Sequence, residues 1–226
     1  MTPSSRSEDD PVSVRLTAGG AALDADVEHA AGAHGWVVFA HGSGSSRRSP
    51  RNLLVARRLH AERLSTVLFD LLTPAEQRAD AVDASLRFDI DLLAERLTAV
   101  VEEVAAWPGT SNFPIGVFGA STGAAAALMS AAARPDLVRS VVSRGGRPDL
   151  AGRALPDVQA PTLLIVGERD PQVLELNRRA AGQMNCAHQL SVVPRSTHLF
   201  EEPGALEVVA ARASEWFIRT LIANPP

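Results

Sequence analysis

Short continuous apolar runs recur along the chain, each followed by a turn signal and then by a segment of helical length. Such runs are typical of strands buried on both faces, and their alternation with helices predicts an α/β protein. Right-handed crossovers then give a mostly parallel, doubly wound sheet. The predicted strands are 36–40, 67–72, 115–118, 138–142, 162–166 and 190–193, and the predicted helices are about 50–63, 88–107, 122–133, 173–184 and 205–222.

Strict alternation of apolar and polar residues marks the beginning of the chain instead. Residues 12–16 and 23–27 alternate in this way around a turn at Gly19-Gly20, which predicts an antiparallel hairpin at one edge of the sheet. Farther along, the polar stretch 73–87 fits either a loop or a short helix. The alanine-rich helix 122–133 has small side chains all round, so we expect it to be the most buried helix.

Length and composition indicate one folded domain at residues 12–226, preceded by a disordered polar tail at 1–11. The chain has 226 residues, of which 46% are hydrophobic and 21% charged, as in an average globular protein. The net charge of −4 and the scattered arginines argue against nucleic acid as a partner.

Neither a signal peptide nor an apolar run long enough for a membrane span is visible, so we expect no membrane partner. A single cysteine, Cys186, excludes an intramolecular disulfide and a thiolate-rich zinc site. These features are compatible with a cytoplasmic location. No residue pattern indicates a metal or an organic cofactor.

The strongest chemical signal is Gly119-Ala120-Ser121-Thr122-Gly123, which matches G-x-S-x-G. It lies between a predicted strand and the alanine-rich helix, where a sharp turn with small neighbours would project the serine above the sheet. Ser121 is therefore the candidate nucleophile. A serine hydroxyl needs a base to accept its proton and a group that orients the base.

Among the six histidines, His198 lies just beyond the last predicted strand, where a loop reaches the carboxyl edge of the sheet. His41 also follows a strand but precedes Gly42-Ser43-Gly44, and it is better explained as a residue that shapes the loop. Asp170 follows strand 162–166 and is the favoured acid. Glu168 and Asp149 remain alternatives for that role.

Stabilisation of an oxyanion needs two backbone N–H donors, one from the residue after the nucleophile and one from a loop after an earlier strand. Thr122 and Ser43 are the candidates. Several arginines fall in loops near the same edge, and they predict either contact with an acidic substrate group or an ordinary surface role. They are Arg47, Arg48, Arg51, Arg144 and Arg147, with Arg47 and Arg144 preferred as substrate contacts.

Together these residues resemble the α/β-hydrolase superfamily, and more narrowly its dienelactone-hydrolase-like group, from about residue 12 to 222. The most specific segments are 41–52, 69–73, 119–123, 143–150 and 197–203, and they are similar to a subgroup whose members can be fused to a phosphoribosyltransferase domain. The resemblance implies an α/β-hydrolase fold, the triad Ser121, Asp170 and His198, and an oxyanion loop after His41. The short excursion between 143 and 162 implies no large lid.

One departure from the resemblance concerns the nucleophile. Dienelactone hydrolase uses a cysteine at the elbow, whereas this chain has Ser121 there. The expected function is therefore a serine hydrolase that cleaves a small-molecule carboxylic ester, lactone or thioester through an acyl-enzyme intermediate. An acyl transferase with the same triad and a noncatalytic binding module on the same fold are the alternatives.

Overall fold

The structure, a computed structural model, describes residues 11–110 and 112–223. Its eight strands form one sheet in the order β1-β2-β4-β3-β5-β6-β7-β8. The predicted tail at 1–11 lies, except for Pro11, outside the described residues. The strands are β1 (Val12–Ala18), β2 (Ala21–Glu28), β3 (Gly35–Ala40), β4 (Leu64–Phe69), β5 (Ile115–Ala120), β6 (Val138–Arg144), β7 (Thr162–Gly167) and β8 (His188–Val193).

Six of the strands, β3 to β8, run parallel to their neighbours within this group. The pair β1 and β2 is an antiparallel hairpin at one edge, and β2 joins the rest by pairing antiparallel with β4. The predicted fold class, with its mostly parallel sheet and antiparallel edge hairpin, is confirmed.

Helices cover both faces of the sheet. One face packs against α1 and α6 and the other against α3, α4 and α5, so each face has its own apolar core. Nine of the twelve residues of α4 are buried, as its small side chains predicted. The helices are α1 (Pro50–Ala61), α2 (Pro74–Asp83), α3 (Ile90–Ala105), α4 (Thr122–Ala133), α5 (Pro171–Ala181) and α6 (Ala205–Phe217), the last continuing as a π-helical turn at Ile218–Ala223.

Most element bounds shift by one to three residues from the sequence prediction, and β4 and α2 are the most informative differences. Strand β4 runs from Leu64 to Phe69 rather than from 67 to 72. Ser65 is buried near its start, where its hydroxyl accepts a hydrogen bond from the backbone N–H of Ala30. The uncommitted stretch 73–87 contains α2, which begins with a capping box between Thr73 and Glu76.

The connection between β6 and β7 is a short 3-10 segment, Pro148–Asp157, with no inserted lid above the sheet. At the carboxyl edge of the parallel strands, the side chain of His198 is 38% exposed. Of the helices described, none is long and apolar enough to cross a membrane.

An ion pair joins α2 to α3. The guanidinium of Arg96, which is buried, donates two hydrogen bonds of 2.6 Å to the Glu76 carboxylate and one of 3.0 Å to the Leu71 carbonyl. The hydrogen bonds from Arg96, assisted by the Thr73 backbone N–H, lower the pKa of Glu76 from its ordinary 4.5 to about 2. A lowered pKa in the folded state means that the ionised form stabilises the fold.

We expect Glu76→Gln to lower the free energy of unfolding at pH 7 by about 2 kcal/mol, because the buried guanidinium loses its counter-charge. The deficit relative to the parent is fully present above about pH 4.5, the ordinary pKa of a glutamate, and shrinks as the pH falls towards 2, where Glu76 in the folded parent becomes protonated. Urea denaturation at pH 7, 5 and 3 measures this. Glu62→Gln, which breaks the exposed pair with Arg58, is the control and should change little. A deficit that stays constant down to pH 3 would contradict the assigned pKa.

Candidate active site

Ser121 occupies the turn between β5 and α4 with φ 51° and ψ −119°, a conformation that non-glycine residues rarely adopt. Close packing of the neighbouring backbone holds it there. A Cβ added to Gly123 would lie 2.4 Å from the Ala40 carbonyl oxygen, and one added to Gly119 would lie 2.5 Å from the Ala124 Cα. The glycines of the motif are therefore required by the close approach of β3, β5 and α4.

His198 and Asp170 lie together at the same edge of the sheet. The Nδ1 atom of His198 is 2.7 Å from Oδ2 of Asp170, and the carboxylate is the less exposed partner. The other oxygen of Asp170 caps α5 by accepting a 3.4 Å hydrogen bond from the Val173 N–H. The start of a helix thus fixes the carboxylate that contacts the histidine.

The end of β6 connects this histidine to the serine. The backbone N–H of Ser121 donates a 3.2 Å hydrogen bond to the Arg144 carbonyl. The next residue, Gly145, has φ 51° and lies beneath the histidine, since a Cβ added there would be 3.5 Å from Cε1 of His198. The three residues predicted as a triad are therefore placed on neighbouring turns at the carboxyl edge of the sheet.

The loop after β3 contacts the serine from the other side. A Cβ added to Gly42 would lie 3.0 Å from the Cβ of Ser121. The backbone N–H of Ser43, a predicted oxyanion donor, donates a 3.0 Å hydrogen bond to the Thr122 hydroxyl. The second predicted donor, the N–H of Thr122, belongs to the first turn of α4, where backbone N–H groups have no partner within the helix.

His41 holds this loop to the loop that follows β4. It is buried, its Nε2 accepts a hydrogen bond from the Leu71 N–H at 3.1 Å, and its Nδ1 lies 2.9 Å from the Gly42 carbonyl. Burial lowers the pKa of His41, which favours the neutral ring that this pattern requires. The interpretation of His41 as a loop-shaping residue agrees with these contacts.

The alternatives to Asp170 have other partners. The Glu168 carboxylate accepts a 2.6 Å hydrogen bond from the Arg195 N–H. Asp149 forms a two-point ion pair with Arg147 at 2.8 to 2.9 Å. Neither of these contacts involves a histidine.

Cys186 lies at the opposite edge of the sheet. Its Sγ is 3.9 Å from the hydroxyl of Thr162, the first residue of β7, and burial raises the pKa of the thiol. A neutral thiol far from the elbow is not an activated nucleophile.

The two arginines predicted as substrate contacts have different surroundings. The guanidinium of Arg47 is paired with both Asp26 and Asp70, which tie the loop to β2 and to the end of β4. These ion pairs show that Arg47 holds the loop in place, and they leave its guanidinium few free donors for a substrate. Arg144 is buried and forms no ion pair within the described part of the chain.

A cavity of about 180 Å³ adjoins the loop after β3. Its other wall consists of residues from the loop after β4, from α2, from α3 and from the turn between these two helices. For the residues of α2 and of the turn, the only signal in the sequence is the polar stretch 73–87, whose position beside the loop depends on the tertiary fold. The cavity is lined by residues 41–45, Leu71, Leu72, Gln77, Asp80, Arg87 and Leu93.

Comparison with known proteins gives a consistent family assignment. The sequence model of the dienelactone hydrolase family matches residues 71–221. The crystal structure of a dienelactone hydrolase from Anabaena variabilis is 50% identical in sequence, covers 95% of this chain and 100% of its own, and superposes with a TM-score of 0.93.

Other matches extend this likeness. Two curated proteins of Mycobacterium tuberculosis, named as candidate phosphoribosyl transferases, are 57% identical over 192 residues, which is 85% of this chain. The chain spans 42% of the length of these relatives. An α/β serine hydrolase without a lid from Xanthomonas campestris has the same fold, with a TM-score of 0.74 at 22% identity over 96% of this chain and 97% of its own.

We expect Asp170→Asn to lower kcat by about 10⁴-fold, because an amide in place of the carboxylate favours the wrong histidine tautomer and cannot stabilise the imidazolium. Asp149→Asn is the matched control and should stay within a few-fold of the parent. Both are measured on one activated ester. A severe loss in Asp149→Asn with near-normal Asp170→Asn would move the acid to the loop after β6.

Proposed function

The chain belongs to the dienelactone hydrolase family, and from that premise we propose that it is a serine hydrolase that cleaves a small carboxylic ester, lactone or thioester. The observation that carries this proposal is the hydrogen bond between His198 and Asp170 at the same edge of the sheet as Ser121 in its strained turn. A paired histidine beside a projecting serine is what general-base activation of a hydroxyl requires.

In the proposed acylation, Oγ of Ser121 attacks the substrate carbonyl carbon while Nε2 of His198 accepts the hydroxyl proton. Asp170 holds the ring through Nδ1 and stabilises the positive charge that develops on it. The resulting oxyanion accepts hydrogen bonds from the backbone N–H groups of Thr122 and Ser43. In the free enzyme the Ser43 N–H donates to the Thr122 hydroxyl. When the oxyanion forms, this hydroxyl must therefore rotate away or share the Ser43 N–H with the oxyanion.

Collapse of the tetrahedral intermediate breaks the bond to the leaving alcohol or thiol, which takes the proton from His198. A water molecule then attacks the acyl carbon, with His198 as base again, and the acid is released as Ser121 recovers its proton. The absence of a lid between β6 and β7 favours water as the acceptor in this second step, because solvent has direct access to the edge of the sheet.

The size of the adjoining cavity supports a small substrate. About 180 Å³ is below the range of roughly 300 to 1,000 Å³ that is usual for pockets that hold drug-sized ligands. The cavity is next to the Ser43 loop, so a group bound there would be attached to the carbon whose oxyanion that loop stabilises. We assign the cavity to a short acyl group.

We expect Ser121→Ala to lose turnover by roughly 10⁴- to 10⁶-fold while keeping the parental melting temperature, because it removes the nucleophile and little packing. A fluorophosphonate probe, detected by intact mass, should label the parent once and leave Ser121→Ala unlabelled. Cys186→Ser is the control and should be labelled at the parental rate. If the probe labelled Ser121→Ala but did not label Cys186→Ser, the nucleophile would be Cys186 and not Ser121.

We further expect 4-nitrophenyl acetate and butyrate to give a higher kcat/KM than the octanoate, since a short acyl group fills the cavity and a longer one does not fit. Leu72→Ala, which removes part of the cavity wall, should raise the ratio of octanoate to acetate activity. The ratio is independent of the fraction of folded enzyme, so a loss of stability in this variant does not obscure it. Equal or greater activity on octanoate in the parent would contradict the assignment of the cavity.

A further inference from the structure

Arg144 is buried without a counter-charge. It is 7% exposed at the carboxyl end of β6, where it is paired in register with Ala120, the residue that precedes Ser121. Its Nε is buried and donates no hydrogen bond, and within the described part of the chain it pairs with no carboxylate. Its two terminal nitrogens escape complete burial.

The other buried arginine of the described chain, Arg96, has its charge compensated by the fold. Arg96 donates to both oxygens of Glu76 and to a backbone carbonyl. A buried guanidinium without such partners costs several kcal/mol of desolvation that nothing in the fold offsets. An uncompensated buried charge beside a catalytic serine points to a ligand that supplies the missing charge.

A second arginine lies on the same face of the sheet. Side chains two residues apart on a strand share a face, and Val142 packs in the core beneath α1 and α6, so Arg144 also faces α1. Arg51 lies in the first turn of α1. Burial, assisted by the positive charge of Arg51, lowers the pKa of Arg144 to about 10, so the group remains charged at neutral pH.

Arg51 is itself poorly compensated. Its Nε is buried without a hydrogen-bond partner. The carboxylate oxygen paired with it, Oε1 of Glu201, is 3.9 Å from Nη1 on a side chain that is 68% exposed, and such a pair is worth little. No acidic residue occupies the first turn of α1, so the partial positive charge of the helix N-terminus adds to that of the two arginines.

We propose that Arg51 and Arg144 form a binding site for a dianionic phosphoryl group next to Ser121. Two guanidinium groups require two negative charges, whereas a carboxylate would leave one of them uncompensated. A phosphate monoester carries close to two negative charges at pH 7, and its oxygens match the planar fork of arginine. The phosphoryl group belongs either to the substrate, in which case this proposal rests on the proposed function, or to free phosphate.

Binding of inorganic phosphate to the purified chain, measured by isothermal titration calorimetry in a buffer free of other oxyanions, tests the site without any assay of turnover. The parent should bind phosphate, and Arg144→Gln and Arg51→Gln should each lose about tenfold or more in affinity. Arg57→Gln, which removes one exposed charge from the far side of α1, is the matched control and should bind like the parent. Because Arg51 is half-buried, its variant remains informative if Arg144→Gln folds poorly.

Thermal denaturation adds a signature that a merely structural arginine would not give. Without phosphate, Arg144→Gln should melt at or above the parental temperature, since it removes an uncompensated charge. With phosphate, the parent and Arg57→Gln should rise in melting temperature and Arg144→Gln should not. The proposal is overturned if the parent does not bind phosphate at millimolar concentration, if all variants respond alike, or if acetate binds as tightly as phosphate.

Two esters distinguish the source of the phosphoryl group. If it belongs to the substrate, 1-acetylglycerol 3-phosphate should be hydrolysed with a kcat/KM at least tenfold above that of 1-acetylglycerol, and Arg144→Gln should remove the preference. If free phosphate is the ligand, both esters should react alike in the parent while calorimetric binding persists. If the protein bound phosphate but hydrolysed no ester, the proposed function would be rejected and the phosphate-binding site would still be supported.

Discussion

Direct contact of backbone with backbone, where β5 turns into α4, is the constraint on which the site depends. Gly123 packs against the carbonyl groups of Ala40 and His41, and any side chain there would push α4 away from β3. The same strand β3 leads into the loop that carries Ser43. One contact therefore sets the position of both the candidate nucleophile and a candidate oxyanion donor. It also explains why α4 consists so largely of alanine, because larger side chains would widen the same gap.

The fold was predictable where burial alone determines the element. Strands such as β5 and β7 are buried throughout and almost entirely apolar, and a pattern of that kind has few other interpretations. The start of β4 and the whole of α2 were not predictable in this way. Ser65 is polar yet buried because a distant N–H needs its hydroxyl, and α2 buries only Asp80 and is held by its cap and ion pairs. Both depend on partners far away in the chain, which local periodicity does not reveal.

The same distinction applies to the candidate site. Ser121 and Asp170 follow strands that are buried throughout, and His198 follows the edge strand β8. A sequence that predicts these parallel strands also predicts that the three residues lie at one edge of the sheet. This reasoning could not distinguish between the two preferred arginines, Arg47 and Arg144. Arg47 and Arg144 both lie at strand or loop ends, but Arg47 meets two aspartates from other strands while Arg144 meets none in the described chain. Whether a charge is compensated is a tertiary property, and here it separates an arginine that holds a loop from one that is available to a ligand.

Local charge and net charge therefore have opposite signs at this site. The chain carries a net charge of −4, yet the first turn of α1 and the end of β6 present two arginines with little compensation. Field lines from such a group are concentrated where the surrounding protein has a low dielectric constant, so the local potential, rather than the total charge, governs which ligands approach. The side chain of His198 is 38% exposed on the same edge, and no lid covers it. On the proposed function, an anionic substrate and the water that releases its acyl group would both approach from this side, and such access favours hydrolysis over transfer to a second bound acceptor.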